Sequence, residues 1–299
     1  MERMRIPATT ANMGPGFDCI GMAFDFYNYI DFEQTGEDGY CELSSDGEAG
    51  KIDLSKDNLI YQAYKAVFDY VNKPVSGIRM HFENNVPYSR GLGSSSAALI
   101  GGVKVANRVL GDPLSDRELL KIALRFEGHP DNIAPALLGG VVISGLDETG
   151  EVYYRKITPP ESLHCTVIIP DYPLATKRAR EVLPKQVPMQ DAVYNVGRMA
   201  LFIDALYTGD LKQLALAMED KLHQPYRMEL ITGMDEIIPK AKKMGALNVT
   251  ISGAGPTILL VSDKEIDFSP LQEILQSKGV KARITALHPV NAGAEMIER

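Results

Sequence analysis

The residues best suited to chemistry form one glycine- and serine-rich stretch, residues 87–98, which reads PYSRGLGSSSAA. It follows an alternating apolar run, Ile78, Met80 and Phe82, which predicts a half-buried strand, and it leads into an apolar run over residues 97–110, which predicts a helix. A glycine-rich turn that opens a helix points unpaired backbone N–H groups and the positive end of the helix dipole at one place. We therefore expect a polyphosphate to bind there.

Two common nucleotide motifs are excluded by this stretch. No lysine follows the second glycine, so it is not a P-loop, and Ser96 stands where a dinucleotide fingerprint requires its third glycine. Taken alone, the Gly-x-Gly-Ser tetrapeptide is also explained by an ordinary serine-capped helix after a tight turn.

Two further glycine segments lie far away in the chain, residues 7–18 (PATTANMGPGFD) and residues 252–257 (SGAGPT). Either one alone is explained by a turn. Together with residues 87–98, and in this order, they resemble the three motifs of the GHMP small-molecule kinases. Residues 127–135 (EGHPDNIAP), 176–180 (TKRAR) and 224–227 (QPYR) resemble the members of that family that phosphorylate L-homoserine.

Composition sets limits on the class of protein. The chain has 299 residues, 45% of them hydrophobic, which is enough for a sizeable core, and its net charge of −8 argues against a nucleic-acid partner. Three scattered cysteines predict neither a disulfide framework nor a zinc site and favour a reducing cytoplasm. No apolar run has the length of a signal peptide core or a membrane helix, so we expect no membrane partner and an unprocessed chain.

The patterning predicts an α+β protein in two parts. Residues 1–157 contain predicted strands at 23–33, 78–82 and 139–144 and predicted helices at 57–71, 97–110 and 131–138, together with a capping box, Ser115 to Glu118, that opens another helix. Residues 158–299 follow a Pro-Pro pair and contain a strand at 165–169, helices near 175–183, 190–207 and 234–243, a strand pair around SGAGPT, and a final strand at 281–287. The resemblance implies that these parts are two GHMP kinase domains with the active site in the cleft between them.

The resemblance also implies ATP and Mg²⁺ as cofactors. The nucleotide-binding residues would be Asn58, on the adenine side, and the phosphate loop: Pro87, Tyr88, Ser89, Arg90, Gly91, Leu92, Gly93, Ser94, Ser95, Ser96 and Ala97. One loop serine, which we assign to Ser94, and Glu127 would hold the metal ion, since hydroxyl and carboxylate oxygens suit Mg²⁺. Asn58, considered alone, is more typical of a helix start.

For the acceptor, the resemblance implies a small amino acid with a hydroxyl group. Its binding residues would be Asn12, Asp18, His129, Thr176, Arg180 and Arg227. Two arginines suit its carboxylate and one aspartate suits its ammonium group. Thr176 is either a helix N-cap or a substrate contact, or both.

In the catalytic step, Asn132 is expected to orient the attacking hydroxyl and Glu127 to act through the metal ion. Asp131 is either a helix cap or a base, and we favour the structural role.

Three functions remain open on the sequence. The first is phosphorylation of L-homoserine by ATP, the second is a kinase for mevalonate or a sugar, and the third is a non-catalytic sensor on the same fold. A homodimer is expected only because most soluble metabolic enzymes form one.

Overall fold

The structure is a computed structural model that describes residues 1–49 and 53–298. Its strands are β1 (Glu2–Asn12), β2 (Gly16–Gln34), β3 (Cys41–Asp46), β4 (Ile78–Glu83), β5 (Val141–Leu146), β6 (Val152–Ile157), β7 (His164–Pro170), β8 (Asn248–Ile251), β9 (Ile258–Ser262), β10 (Ala282–Leu287) and β11 (Glu295–Ile297). Its α-helices are α1 (Leu59–Tyr70), α2 (Ser94–Val109), α3 (Asp116–Ala123), α4 (Pro130–Leu138), α5 (Thr176–Glu181), α6 (Met189–Thr208), α7 (Leu211–Ala217), α8 (Gln224–Arg227), α9 (Met234–Met244) and α10 (Gln272–Ser277).

The strands form two sheets. The larger has seven strands in the order β11-β1-β2-β4-β3, with β5 pairing with β2 and β6 pairing with β5. The smaller has four strands in the order β10-β7-β9-β8. The expected α+β fold is confirmed, and the proposed division after residue 157 falls at the end of β6, beyond which the chain enters the smaller sheet.

Helices α1 to α4 lie on one face of the larger sheet because their apolar sides match its apolar positions. The alternation in β4 buries Ile78, Met80 and Phe82, and the same core contains Leu99, Ile100 and Val103 of α2. Burial of such a side chain contributes about 1.5–3 kcal/mol. This packing fixes the start of α2, and therefore the phosphate loop, against the sheet.

A second core joins the two sheets. It includes Ala8 and Ile20 of the larger sheet, Val167 and Leu259 of the smaller, and Phe202 of α6. The two parts of the chain therefore share buried apolar surface, which holds the cleft between them in a defined geometry.

Most predicted elements are confirmed, including the capping box of α3, in which Ser115 accepts from the Glu118 backbone and the Glu118 side chain accepts from the Ser115 backbone. The expectation that residues 281–287 form the final strand is wrong, because β11 follows and pairs antiparallel with β1. The sequence also predicts no strand at β1, β3 or β6 and no helix at α7. β11 has only three residues and owes its extended form to pairing with a strand at the opposite end of the chain, which gives no local pattern.

Candidate active site

The phosphate loop has the backbone that the sequence predicts. Gly93, with φ 68°, is the N-cap of α2, so the first turn of the helix is formed by three consecutive serines. Gly91 has φ 77°, and a Cβ there would lie 2.2 Å from the carbonyl oxygen of Ser252. Only glycine tolerates both the conformation and the close approach. The unpaired N–H groups of the first turn of α2 therefore face the cleft and suit phosphate oxygens.

Hydrogen bonds link the three glycine segments to one another. Ser252 Oγ donates to the Gly91 carbonyl (2.5 Å), and the Gly253 backbone N–H donates to the Ala11 carbonyl (3.0 Å). Asn12 Nδ2 donates to the Gly253 carbonyl at 2.7 Å, and Asn12 Oδ1 accepts from the backbone N–H of Asp18 at 3.0 Å. The segments resemble family motifs in sequence and form one connected unit in space.

A cavity of about 480 Å³ lies between these segments and α5. Its lining includes most of the residues that the sequence nominated: Asn12, Asp18, Tyr88, Ser89, Arg90, Gly91, Gly93, Ser94, Ser95, Ser96, Glu127, His129, Asn132, Thr176, Arg180 and Arg227. Four nominated residues, Asn58, Pro87, Leu92 and Ala97, are not in this lining, and Leu92 is wholly buried. The lining also contains Gly128, Asp131, Leu174, Gly253, Ala254 and Gly255, which had no assigned binding role.

In the cavity, the carboxylate of Asp18 lies between the side chains of Arg180 and His129. Asp18 accepts two hydrogen bonds from Arg180, at 2.8 and 3.0 Å, and its Oδ2 lies 3.3 Å from His129 Nδ1. The bonds to Asp18 raise the pKa of Arg180, whereas burial lowers the pKa of His129. The arrangement offers one anionic and one cationic group, side by side, to a zwitterion.

Arg227 is 1% exposed and is the largest fully buried side chain of the described residues. Its Nε donates to the Ala179 carbonyl and its Nη1 to the Gly253 carbonyl, each at 3.1 Å. Burial lowers its pKa, and a charged group held in this way needs an anionic partner to offset its desolvation. Arg227 lines the cavity, which therefore suits an anionic group.

Phe17 packs against the cationic groups. Its ring centroid lies 5.6 Å from Arg180 Cζ and 5.0 Å from Arg227 Cζ, and its ring stacks on His223 at 5.1 Å. The negative face of an aromatic ring attracts guanidinium groups. Phe17 therefore helps to hold two like charges close together, a role that the sequence gave no means to assign.

Asn132 and Asp131 lie at the start of α4, beside the phosphate loop. Thr9 Oγ1 donates to Asn132 Oδ1 at 2.8 Å, which fixes the orientation of the amide. Asp131 is buried, and burial, reinforced by the charges of Asp18 and Glu127, raises its pKa to about 7. Near neutral pH its carboxyl group is thus divided between the neutral and ionised forms.

The predicted metal ligands lie at the edge of the same cavity. Ser96 Oγ donates to Glu127 Oε2 at 2.7 Å, while Ser94 Oγ is buried with no hydrogen-bond partner among the described residues. An orphaned hydroxyl and a carboxylate next to a second hydroxyl fit a hard cation that keeps several waters. Within residues 1–49 and 53–298 no cluster of three or more His, Cys, Asp or Glu side chains fits a metal ion.

The structure decides the helix-capping roles of two nominated residues. Ala175, and not Thr176, is the N-cap of α5, so the capping role of Thr176 is wrong, and its substrate contact stays a prediction. Asn58 is the N-cap of α1: its side chain accepts from the Ile60 backbone at 2.8 Å and donates to the Asp53 carbonyl. The adenine contact of Asn58 stays a prediction.

The structure also shows the state of the cysteines and the lengths of the helices. The three cysteines are free thiols. Among the helices of the described residues, none is both long enough and apolar enough to cross a bilayer. Burial raises the pKa of the Cys19 thiol to about 11, which favours its protonated form near neutral pH.

Family models match both parts of the chain. The model for the N-terminal domain of GHMP kinases matches residues 58–140, and the model for the C-terminal domain of GHMP kinases matches residues 202–281.

Curated relatives match over the full length. The homoserine kinase of Moorella thermoacetica is 42% identical over 299 residues, covering 99% of this chain and 100% of the relative. The homoserine kinase of Clostridium beijerinckii is 44% identical over 301 residues, covering 100% of this chain and 99% of the relative.

Solved structures share the fold. The crystal structure of homoserine kinase from Cytophaga hutchinsonii is similar with a TM-score of 0.87 and 27% identity, covering 99% of this chain and 97% of that chain. The L. major mevalonate kinase in complex with R-mevalonate is similar with a TM-score of 0.71 and 16% identity, covering 98% of this chain and 97% of that chain. At this identity the similarity shows the fold alone.

Proposed function

The chain belongs to the GHMP kinase family and is an ATP-dependent kinase of small molecules; from this premise we propose that it transfers the γ-phosphoryl group of ATP to the side-chain hydroxyl of L-homoserine, giving O-phospho-L-homoserine for threonine biosynthesis. The observation that carries the choice of acceptor is the charge arrangement at Asp18, Arg180 and Arg227. These groups line the same cavity as the phosphate loop. They suit an amino acid better than mevalonate, which has no ammonium group, or a neutral sugar.

Binding of the acceptor follows from those charges. Its carboxylate would lie between Arg180 and Arg227, where charge-assisted hydrogen bonds offset the desolvation of the buried Arg227 guanidinium. Its ammonium group would replace one partner of Asp18, with His129 and Thr176 completing the pocket. The acceptor hydroxyl would then point toward the phosphate loop, near Asn132.

The nucleotide would place its phosphates at the first turn of α2, where backbone N–H groups and the helix dipole favour negative charge. A smaller apolar pocket, lined by Ile6, Ile30, Ile60 and Phe82, shares Tyr88 and Ser94 with the main cavity, but its volume of about 20 Å³ is too small for a purine ring unless the pocket widens. Its lining includes Ile60, two residues after Asn58.

Catalysis would rest on positioning and charge. Asn132, held by Thr9, would orient the acceptor hydroxyl for in-line attack, and the phosphate loop would stabilise the charge on the transferred group. Glu127 with Ser94 or Ser96 would hold Mg²⁺, which supplies charge neutralisation on the phosphates when bound. A cytoplasmic location stays a prediction.

The first experiment is a measurement of ADP release with L-homoserine, mevalonate, galactose and L-serine as separate acceptors, with and without Mg²⁺. We expect Mg²⁺-dependent turnover that is selective for L-homoserine. Turnover with another acceptor alone would contradict the proposed substrate while leaving the kinase class intact. Binding of ATP without turnover of any acceptor would favour the sensor.

A further inference from the structure

The turn that carries Asp18 has an unfavourable backbone conformation. Asn12, Met13 and Asp18 have positive φ values of 69°, 47° and 58°, and none of them is glycine. Such conformations are uncommon for residues with a side chain, and they persist only where the surrounding structure imposes them. Residues 12–18, which we call the Asp18 turn, therefore depend on contacts with the rest of the protein.

One of these contacts comes from His223, a residue outside the cavity lining. Its side chain is wholly buried, and its Nε2 lies 2.8 Å from the carbonyl oxygen of Gly14, in the middle of the Asp18 turn. Its ring also stacks on Phe17, with 5.1 Å between the ring centroids and an angle of 20° between the ring planes. His223 thus holds the Asp18 turn through a ring nitrogen and through the face of its ring.

The other ring nitrogen of His223 faces Arg227. His223 Nδ1 lies 3.5 Å from Arg227 Nη1, which belongs to a residue one helical turn further along the chain. Because the carbonyl oxygen of Gly14 can only accept, Nε2 carries the hydrogen of the ring, and Nδ1 of the neutral ring then offers its lone pair to the guanidinium group. The imidazole therefore donates to the Asp18 turn at one end and accepts from Arg227 at the other.

The charges around His223 favour its neutral form. Protonation would place a second N–H group on Nδ1, so that two cationic donors would face each other at Arg227. Asp220 Oδ2 lies 3.6 Å from Nε2, but this carboxylate oxygen already accepts from the backbone N–H groups of His223 and Gln224, at 2.9 and 2.7 Å. Burial also lowers the pKa of His223. The neutral ring with its hydrogen on Nε2 is the form that satisfies both contacts.

The position of His223 is set by groups outside the Asp18 turn. Asn195 of α6 is buried; its Nδ2 donates to Asp220 Oδ1 at 2.7 Å, and its Oδ1 accepts from the backbone N–H of Lys221 at 2.9 Å. Asp220 in turn holds the backbone of His223, the N-cap of α8. A buried network whose polar groups are all partnered favours one geometry. The ring is therefore a fixed support against which the turn is held.

We propose that His223 is a positioning residue of the acceptor site, which holds the Asp18 turn and Arg227 in a fixed arrangement relative to each other. Asp18 and Arg227 are the groups assigned to the ammonium and the carboxylate of the acceptor, so the inference rests on the proposed function. Because His223 lies outside the cavity lining, its effect reaches the acceptor through these two groups and not by direct contact.

Variants of His223 test the proposal through the two Michaelis constants. His223→Phe keeps an aromatic ring beside Phe17 and removes both ring nitrogens, so we expect the KM for L-homoserine to rise about 5-fold or more while the KM for ATP stays within about 2-fold. Turnover of 4-hydroxybutyrate, which has no ammonium group, should lose less in kcat/KM than turnover of L-homoserine. His223→Gln should stay closer to the wild type, because its amide N–H can donate to the Gly14 carbonyl.

A variant of the hydrophobic core separates positioning from a general loss of stability. Ile237 is wholly buried on α9, in the core on the side of the smaller sheet away from α6. Ile237→Ala should lower the temperature of thermal unfolding and leave both KM values unchanged. His223→Phe with both KM values unchanged, or with equal rises in both, would overturn the proposal.

The tautomer of His223 can be measured in the wild type without any acceptor. The chain has five histidines, and ¹⁵N NMR of their rings at pH 7 should show the signal that is missing from His223→Gln as a neutral ring with its hydrogen on Nε2. A charged ring, or a hydrogen on Nδ1, would overturn the proposal. If the wild type does not turn over L-homoserine, the proposed function is contradicted, and the NMR spectrum still decides whether His223 makes both contacts.

Discussion

Arg180 and Asp18, 162 residues apart in the sequence, form a two-pronged ion pair in the cavity, with Nη2–Oδ1 at 2.8 Å and Nη1–Oδ2 at 3.0 Å. The cation assigned to the acceptor carboxylate and the anion assigned to its ammonium group thus neutralise one another when no acceptor is bound. A zwitterion can insert between them without changing the net charge of the site. In the proposed function, this exchange would keep opposite charges partnered in both states.

The role of Asp18 is tested by removing either side of its predicted contact with the ammonium group. We expect Asp18→Asn to raise the KM for L-homoserine by about 10-fold or more, because a hydrogen bond between charged groups contributes about 1.5–3 kcal/mol. The KM for ATP should change little. Initial rates with each substrate varied in turn give both constants.

An acceptor without the ammonium group, 4-hydroxybutyrate, is the control for Asp18. The wild type should discriminate strongly against this compound in kcat/KM, and Asp18→Asn should discriminate much less. The same ratio in both proteins would show that Asp18 does not contact the ammonium group.

Arg227 is expected to bind the acceptor and not the nucleotide. Arg227→Ala should raise the KM for L-homoserine by about 10-fold or more while the KM for ATP stays within about 2-fold. Because Arg227 is buried, Arg227→Lys provides a second variant that keeps the charge but lacks the planar fork. Steady-state kinetics, with thermal unfolding as a check of folding, measure these effects.

Arg178→Ala is the matched control for Arg227. Arg178 lies on the nearby helix α5 with a side chain 62% exposed, and it pairs with Glu181. Its loss should leave both KM values unchanged, since exposed pairs contribute little. Equal losses of acceptor and ATP binding in the Arg227 variants would contradict the assignment.

Much of this site could be predicted because its parts are local. The phosphate loop, the alternation of β4 and the capping box of α3 depend on neighbouring residues, and each is present in the structure. The loop conformation follows from Gly91 and Gly93, because glycine adopts the positive φ values that such a turn requires. The resemblance then supplied the remaining residues of the cavity.

The rest depends on contacts between distant parts of the chain. Nothing near Arg227 indicates that it is buried, and nothing near Phe17 indicates that two guanidinium groups pack around it. Likewise, the position of Asn58 before α1 predicts a helix start correctly, whereas its contact with adenine depends on tertiary packing and stays a prediction. Tertiary packing decides such features, and local patterns do not record it.

Thr9 is expected to act by positioning Asn132. Its side chain is wholly buried, and its hydroxyl donates to Asn132 Oδ1 at 2.8 Å. Thr9→Val keeps the shape but removes this bond, so we expect kcat to fall by about 10-fold or more while the KM values change little, because a small displacement of an orienting group is costly. Thr9→Ser should restore most of kcat. If kcat falls equally in both variants, the hydroxyl does not act through Asn132.

Asp131 should make the stability of the protein depend on pH. Its pKa in the folded state, about 7, lies above the ordinary 3.8, so the folded protein holds this proton more tightly than the unfolded chain does. The contribution of the proton is fully present below about pH 4 and is lost as the pH rises through 7, a loss of up to about 4 kcal/mol. Asp131→Asn lacks this titration, so its free energy of unfolding should rise relative to that of the wild type between about pH 4 and pH 7, and the difference should level off above pH 7.

Urea unfolding of the two proteins across that range measures the difference. Asp18 and Glu127, whose charges help to raise the pKa of Asp131, are present in both and serve as the internal control. Parallel stability profiles would show that Asp131 titrates normally. Turnover of the same variant tests the structural role: a loss of about 100-fold or more, larger at high pH in comparison with the wild type, would instead identify the carboxylate as the base that takes the proton of the acceptor hydroxyl.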